Sequence, residues 1–278
     1  MFAFLAALSQ ASGILVDKII LTRRRVEIHV FTPILFLLLF LLTTILFPFL
    51  GTVSSKLFSS YYLIIFFCMI FAAIIWNYFY YRGVQSEKIH EFELILMAQP
   101  LITILLATIF LKGERNIHII IAAFIAAIAL IVAHIKKTHL ELSKASIGLI
   151  VAVLFMSIEL ILIKILLNVL SPVALYSIRT GIIFIFFFFY FKPKIFQASN
   201  MNVLLILLTS FLGVVQMVSK FYGFEEFGVI YTSLILIISP LIVYIVSTLF
   251  MHEHLKTRTI ISAIAILGCI VYATLLGK

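Results

Sequence analysis

The chain is 278 residues long, 64% hydrophobic and only 11% charged, with a mean hydropathy of +1.28. That composition excludes a water-soluble globular fold and leaves an integral membrane protein. The net charge of +9 is not a nucleic-acid footprint, because the basic residues are sorted between alternate loops and form no single patch.

A spanning helix needs about 20 mostly apolar residues. In chain order the windows that meet or approach this are Phe2–Leu21, Val30–Leu50, Tyr61–Tyr81, Phe92–Leu111, Ile117–Ile135, Ile147–Leu167, Val173–Phe191, Val203–Tyr222, Val229–Met251 and Ile260–Leu276. The runs are too long and too uniform for strands. Short loops join them, so no soluble domain is expected. With no basic residue before Lys18, the N-terminus does not read as a cleavable signal. Of the 20 Lys and Arg, 12 fall in the odd-numbered loops, four on the other face (Lys56, Lys112, Arg115, Lys278) and four inside the windows (Lys18, Lys164, Arg179, Lys220). Read as a positive-inside bias, this places both termini outside.

The windows form two sets of five. Shifting residues 81–112 by 140 onto 221–252 aligns nine identities in 32 positions, among them Gly83 with Gly223, Pro100 with Pro240 and Thr108 with Thr248. An offset of 146 aligns Ala6 with Ala152, Lys18 with Lys164 and Leu21 with Leu167. An odd number of spans per copy turns the second copy over, which is an inverted-topology repeat. The expected fold is therefore an all-α integral membrane protein of ten transmembrane helices. Residues 1–138 form the first five-helix repeat and residues 139–278 the second.

The segments Gln99-Pro100-Leu101 to Leu111-Lys112-Gly113-Glu114-Arg115, and Ser239-Pro240-Leu241 to Met251-His252-Glu253, resemble the drug/metabolite transporter superfamily, specifically its EamA-like ten-helix members. A Lys ending the first helix of each half (Lys18, Lys164) and Arg179 seven residues after Pro172 also fit. The second copy lacks the Gly-Glu-Arg form and needs a one-residue shift to pair Glu253 with Glu114; the first half has no counterpart of Arg179. The resemblance covers essentially the whole chain. It implies a multi-pass transporter of a bacterial inner membrane with both termini cytoplasmic, the reverse of the charge bias, so orientation stays open.

Candidate site residues follow from what is costly in a bilayer. Pro100 and Pro240 each free the carbonyl four residues back and kink the helix, which marks them as hinges at a cavity. Asp17, Lys18, Glu93, Glu159, Lys164, Arg179 and Lys220 are ionisable groups inside apolar windows. Gln10, Gly13 and Asp17 share a face of the first helix, and Glu159 occupies the repeat position of Gly13. Gln216 and Lys220 stand one turn apart, and their repeat-related helix carries Trp76, Asn77 and Tyr80. Gln99 and Ser239 precede the prolines, and Tyr244 follows Pro240 by one turn. The expected substrate-binding set is Gln10, Asp17, Asn77, Gln99, Glu159, Arg179, Gln216, Lys220 and Tyr244. Trp76, the sole Trp, reads as an interfacial anchor, and Lys18 and Lys164 as cavity groups or as snorkelling helix ends. Glu114 and Glu253 read as N-terminal stabilisers of the next helix. Cys68 and Cys269 read as small core residues, and His252 and His254 lack a third metal ligand, so no metal or cofactor is expected.

The inverted repeat points to a secondary-active transporter working by alternating access around a midplane site between the repeats; the resemblance implies small organic solutes, and the mixed, slightly cationic set of embedded groups suits an amino acid or related metabolite. Export is the expected direction. Asp17 or Glu159 could take up a coupling proton. The alternative is a flippase or an integral-membrane enzyme acting on lipid-linked substrates, although no loop carries a catalytic constellation. Its partners are the bilayer and a small solute, with no nucleic acid; monomer and homodimer are both compatible.

Overall fold

The computed structural model describes residues 1–86, 92, 95–96, 98–134, 144–193, 200–239, 242–243 and 257–276. Within them the chain is all-helical. The helices are α1 (Phe2–Lys18), α2 (Ile28–Leu50), α3 (Ser60–Ser86), α4 (Ala98–Phe110), α5 (Ile117–His134), α6 (Lys144–Leu166), α7 (Pro172–Phe191), α8 (Asn200–Leu236) and α9 (Thr257–Leu276). Six segments among the described residues are long and apolar enough to cross a membrane: Phe2–Arg23, Ile28–Leu50, Ser60–Ser86, Ser146–Leu166, Pro172–Phe191 and Met201–Leu236. The protein is a multi-pass integral membrane protein.

One window differs from the sequence expectation. The eighth, set to end at Tyr222, runs through the Glu225-Glu226 pair to a break at Gly228, where φ is 82° and ψ 169°. A second helix begins at Val229, where the ninth window was set to start, and runs on through Leu236, so the Asn200–Leu236 stretch is two helices joined at a kink. Helical backbone satisfies its own hydrogen bonds wherever the side chains of the charged pair point. Glu93, Pro240, Leu241 and Tyr244 lie outside the described residues.

The packing pairs helices from opposite halves of the chain. α1 lies along α8, α3 along α6, α2 along α7, and α5 along α9. Small residues permit the closest approach: a Cβ on Gly83 of α3 would lie 2.3 Å from Leu149 Cδ2 of α6. α5 presents buried Ala122, Ala123, Ala126 and Ala127, as its small-residue spacing leads one to expect.

At the end of α2 and the start of α7 the two halves meet through backbone. Ser54 donates its N–H to the Val169 carbonyl at 2.9 Å and Ser171 to the Thr52 carbonyl at 3.0 Å, making Val53 and Leu170 an antiparallel bridge. The Ser171 hydroxyl caps α7 at Ala174 N (3.4 Å), donates to the Leu50 carbonyl (2.8 Å) and accepts from Thr52 N (2.9 Å).

Glu114 corrects a second expectation. The next helix is served by Asn116, whose Oδ1 accepts from His118 N at 3.0 Å. Glu114 instead reaches across the chain. Its Oε2 accepts from Val229 N at 2.6 Å and Ile230 N at 3.2 Å, capping the helix that restarts after Gly228. Lys164 lies 3.5 Å from Glu114 Oε1 and donates to the Phe224 carbonyl. In the other half Lys18 donates to the Val84 carbonyl at 3.2 Å. Val84 and Phe224 are 140 positions apart, so both lysines grip matched carbonyls.

Candidate functional site

A cavity of about 160 Å³ lies between the helices, walled by residues from both halves of the chain. On α1 the wall is Gln10, Gly13, Ile14 and Asp17, a stripe at i, i+3, i+4 and i+7. On α8 it is Thr209, Gly213, Gln216 and Lys220, spaced four, three and four apart. Trp76, Asn77, Tyr80 and Tyr81 of α3 and Tyr176 and Arg179 of α7 close it, with Phe36 of α2 supplying an apolar side. The cavity is thus amphipathic, with aromatic walls and a few converging polar groups, the common pattern of a small-molecule site.

Glu159 and Arg179 form its fixed centre. Arg179 Nε donates to Glu159 Oε1 at 2.5 Å and Nη2 to Oε2 at 3.3 Å; both residues are buried, Glu159 at 0% exposure. The Trp76 indole N–H donates to the same Oε2 at 2.5 Å. The guanidinium also lies over the Trp76 ring (5.7 Å) and the Tyr176 ring (5.8 Å). Such a pair is held because each charge balances the other where water cannot, and the rings add cation–π attraction. Trp76 is therefore no interfacial anchor. Its half-buried indole lines the cavity and is spent on Glu159, and α3 continues ten residues beyond it to Ser86.

Asp17 and Lys220 are held differently. Thr209 donates its hydroxyl to Asp17 Oδ1 at 2.6 Å. Asp17 has no ion-pair partner among the described residues. Two residues on, α1 widens into a π-helical turn over Ile19–Arg23. The Lys220 ammonium, on a side chain 5% exposed, lies 5.8 Å from the Phe224 ring centre and has no carboxylate within ion-pair distance among the described residues.

Of the residues expected from the sequence, Gln10, Asp17, Asn77, Gln99, Glu159, Arg179, Gln216 and Lys220 all line this one cavity, together with Pro100. Gln10 Oε1 is buried there without a hydrogen-bond partner among the described residues. Asn77 spends its amide on the Ala73 carbonyl (2.7 Å). Gln99 donates to Thr103 (3.1 Å), which donates to Ser157 of α6 (3.1 Å). Ser239, the residue before Pro240, is buried and its hydroxyl has no hydrogen-bond partner among the described residues. Thr209 was not foreseen; the available signal was its place on the Gly213–Gln216–Lys220 stripe. Among the described residues no three His, Cys, Asp or Glu side chains gather as a metal site.

Comparison with known proteins follows this geometry. The EamA-like transporter family matches residues 1–134 and, a second time, residues 143–275. No curated protein matches the sequence. A solved structure, described only as the crystal structure of a protein, superposes with a TM-score of 0.78 at 14% identity, over 99% of this chain and 96% of that one. At that identity the likeness concerns the fold alone. The two family matches between them take in nearly the whole chain, and its helices are of membrane-spanning length: the chain belongs to the EamA-like transporter family, membrane transporters of the drug/metabolite type.

Proposed function

We propose that the protein is a secondary-active transporter that exports a small organic solute, an amino acid or related metabolite, across a bacterial inner membrane. In this reading residues 1–138 and 139–278 are two inverted five-helix repeats making ten spans, and one chain is a complete unit. The cavity is the solute site, and rocking the repeats about Pro100 and Pro240 opens it to each side in turn. The observation that carries this is the shared wall: both halves contribute buried polar and charged groups to one amphipathic cavity. Charged groups at membrane depth are costly and are retained where they serve a pathway or a solute. Gln10, Asn77, Gln99, Gln216, Lys220 and Tyr244 are the proposed solute contacts, with Glu159 and Arg179 holding the wall and Asp17 a polar group at the far end of the same cavity. A proton is the proposed coupling ion.

The test is ligand-induced thermal stabilisation of the purified full-length protein, screened against amino acids, nucleotide sugars, phosphorylated metabolites and quaternary amines. A solute at 100 times its Kd stabilises by about 2.7 kcal/mol, enough to displace a melting curve. A hit among the amino acids that disappears in Lys220→Met supports the reading. Silence across every soluble class removes it in favour of a lipid-linked substrate.

A further inference from the structure

The two carboxylates of the cavity are unequal. Glu159 accepts from two guanidinium nitrogens and an indole N–H, so its charge is matched and its oxygens are occupied. Asp17 accepts one hydroxyl, from Thr209, on one oxygen. The groups facing it from neighbouring helices are phenols and a distant amine. Tyr80 and Tyr81 of α3 line the same cavity, and Lys18, next in the chain, turns away to the Val84 carbonyl. Arg179 of α7 is engaged with Glu159. Lys220 is on the helix that supplies Thr209, but 11 residues further on. At about 1.5 Å rise per residue that is about 16 Å along the axis. Its ammonium sits by Phe224, a turn further still.

We propose that Asp17 is the proton-binding group of this site, that Glu159 is not, and that Lys220 holds the anionic group of the solute at the other end. The proposal rests on the transport reading above and adds the identity of the coupling carboxylate. A carboxylate in a low-dielectric interior without a cation is poorly stabilised, and taking up a proton removes the charge. A metal cation would require several more oxygen ligands than one carboxylate and one hydroxyl. An α-amino acid carries its ammonium and carboxylate on one carbon and cannot bridge about 16 Å of helix. Proton and solute therefore bind at separate poles and communicate through the protein. The route is Thr209: a hydroxyl bonds more strongly to a carboxylate than to a neutral acid. Protonation weakens the one side-chain link from Asp17 on α1 to α8, across the two halves.

Infrared difference spectra of the full-length protein in lipid, recorded between alkaline and acidic buffer without any solute, test this directly. The expected result is a carbonyl band of a newly protonated, buried carboxyl that is lost in Asp17→Asn and kept in Glu159→Gln. Thr209→Val, which keeps both acids, shifts that band's frequency. Its survival in Asp17→Asn, its loss in Glu159→Gln or its indifference to Thr209→Val overturns the proposal. Because no solute is present, this outcome is separate from the thermal-shift screen on which the transport reading depends.

Discussion

Trp76 and Glu159, 83 positions apart, are joined by a 2.5 Å hydrogen bond that runs from the third helix of the chain to the sixth. The same carboxylate carries the Arg179 guanidinium. Removing one member leaves the other buried and unmatched, whereas removing both leaves a neutral gap. Arg179→Met should therefore lower stability by about 3–5 kcal/mol, and Glu159→Gln combined with Arg179→Met by clearly less. Melting temperatures of the two single variants and the double variant, measured in one detergent, decide this; additive losses would show that the pair is not coupled.

A second expectation concerns the α3–α6 contact. The hydrogen on Gly83 faces Leu149 Cδ2 and Cγ, which a Cβ would meet at 2.3 and 2.5 Å. Overpacking of this kind costs about 1–3 kcal/mol. Gly83→Ala should destabilise, and adding Leu149→Ala should recover part of the loss. Equal melting of the single and double variants would show that the helices part to admit the methyl group.

The Glu114 cap predicts a third result. Glu114→Ala frees the N–H groups of Val229 and Ile230 and leaves Lys164 without its carboxylate. A lost cap costs about 1 kcal/mol. Gly228→Ala attacks the same point from the other side. Its φ of 82° disfavours a side chain, and the new Cβ would lie 2.8 Å from the Glu114 carboxyl carbon. Hydrogen exchange at Val229 and Ile230 should rise in both variants and stay unchanged in Lys112→Ala, which serves as a control on the same loop.

The backbone bridge between the halves gives a fourth. Val53 and Leu170 stand opposite each other between two flanking hydrogen bonds, the arrangement in which Cα atoms approach to about 4.5 Å. That separation admits a disulfide. With Cys68 and Cys269 replaced by Ser, Val53→Cys with Leu170→Cys should cross-link readily under mild oxidation. If the halves separate here during transport, oxidation stops flux of the solute found by thermal shift and reductant restores it. Full flux in the oxidised protein would assign the moving contact elsewhere.

Much of this was legible in the sequence for a simple reason: lipid permits few solutions, and a long apolar run can only be a helix. The stripe from Gln10 to Asp17 could be placed by spacing alone, and the isolated charges at Glu159, Arg179 and Lys220 identified themselves by their cost. Three things were hidden. Trp has two natural homes, the membrane boundary and a buried hydrogen bond, and Trp76 gave no sign of its choice. Thr in an apolar helix usually bonds to its own backbone, as Thr43 does to Leu39 and Thr180 to Tyr176, so Thr209 drew no notice. Glu114 looked like a local cap because its true partners lie 115 and 116 positions away, a distance that no local pattern reports.

The exchange of partners, α1 with α8 and α3 with α6, has a consequence for how the protein is made. The ribosome delivers the first five helices to the membrane before any of their partners exist. During that interval Asp17 and Trp76 face lipid or one another's helices, with Thr209 and Glu159 still unsynthesised. Release of a chain stopped near residue 140 would strand those polar groups in hydrocarbon. Asp17 and Trp76 thus gain their side-chain partners only when the second half of the chain has been made, so completion of the first seam depends on α8 and completion of the second on α6.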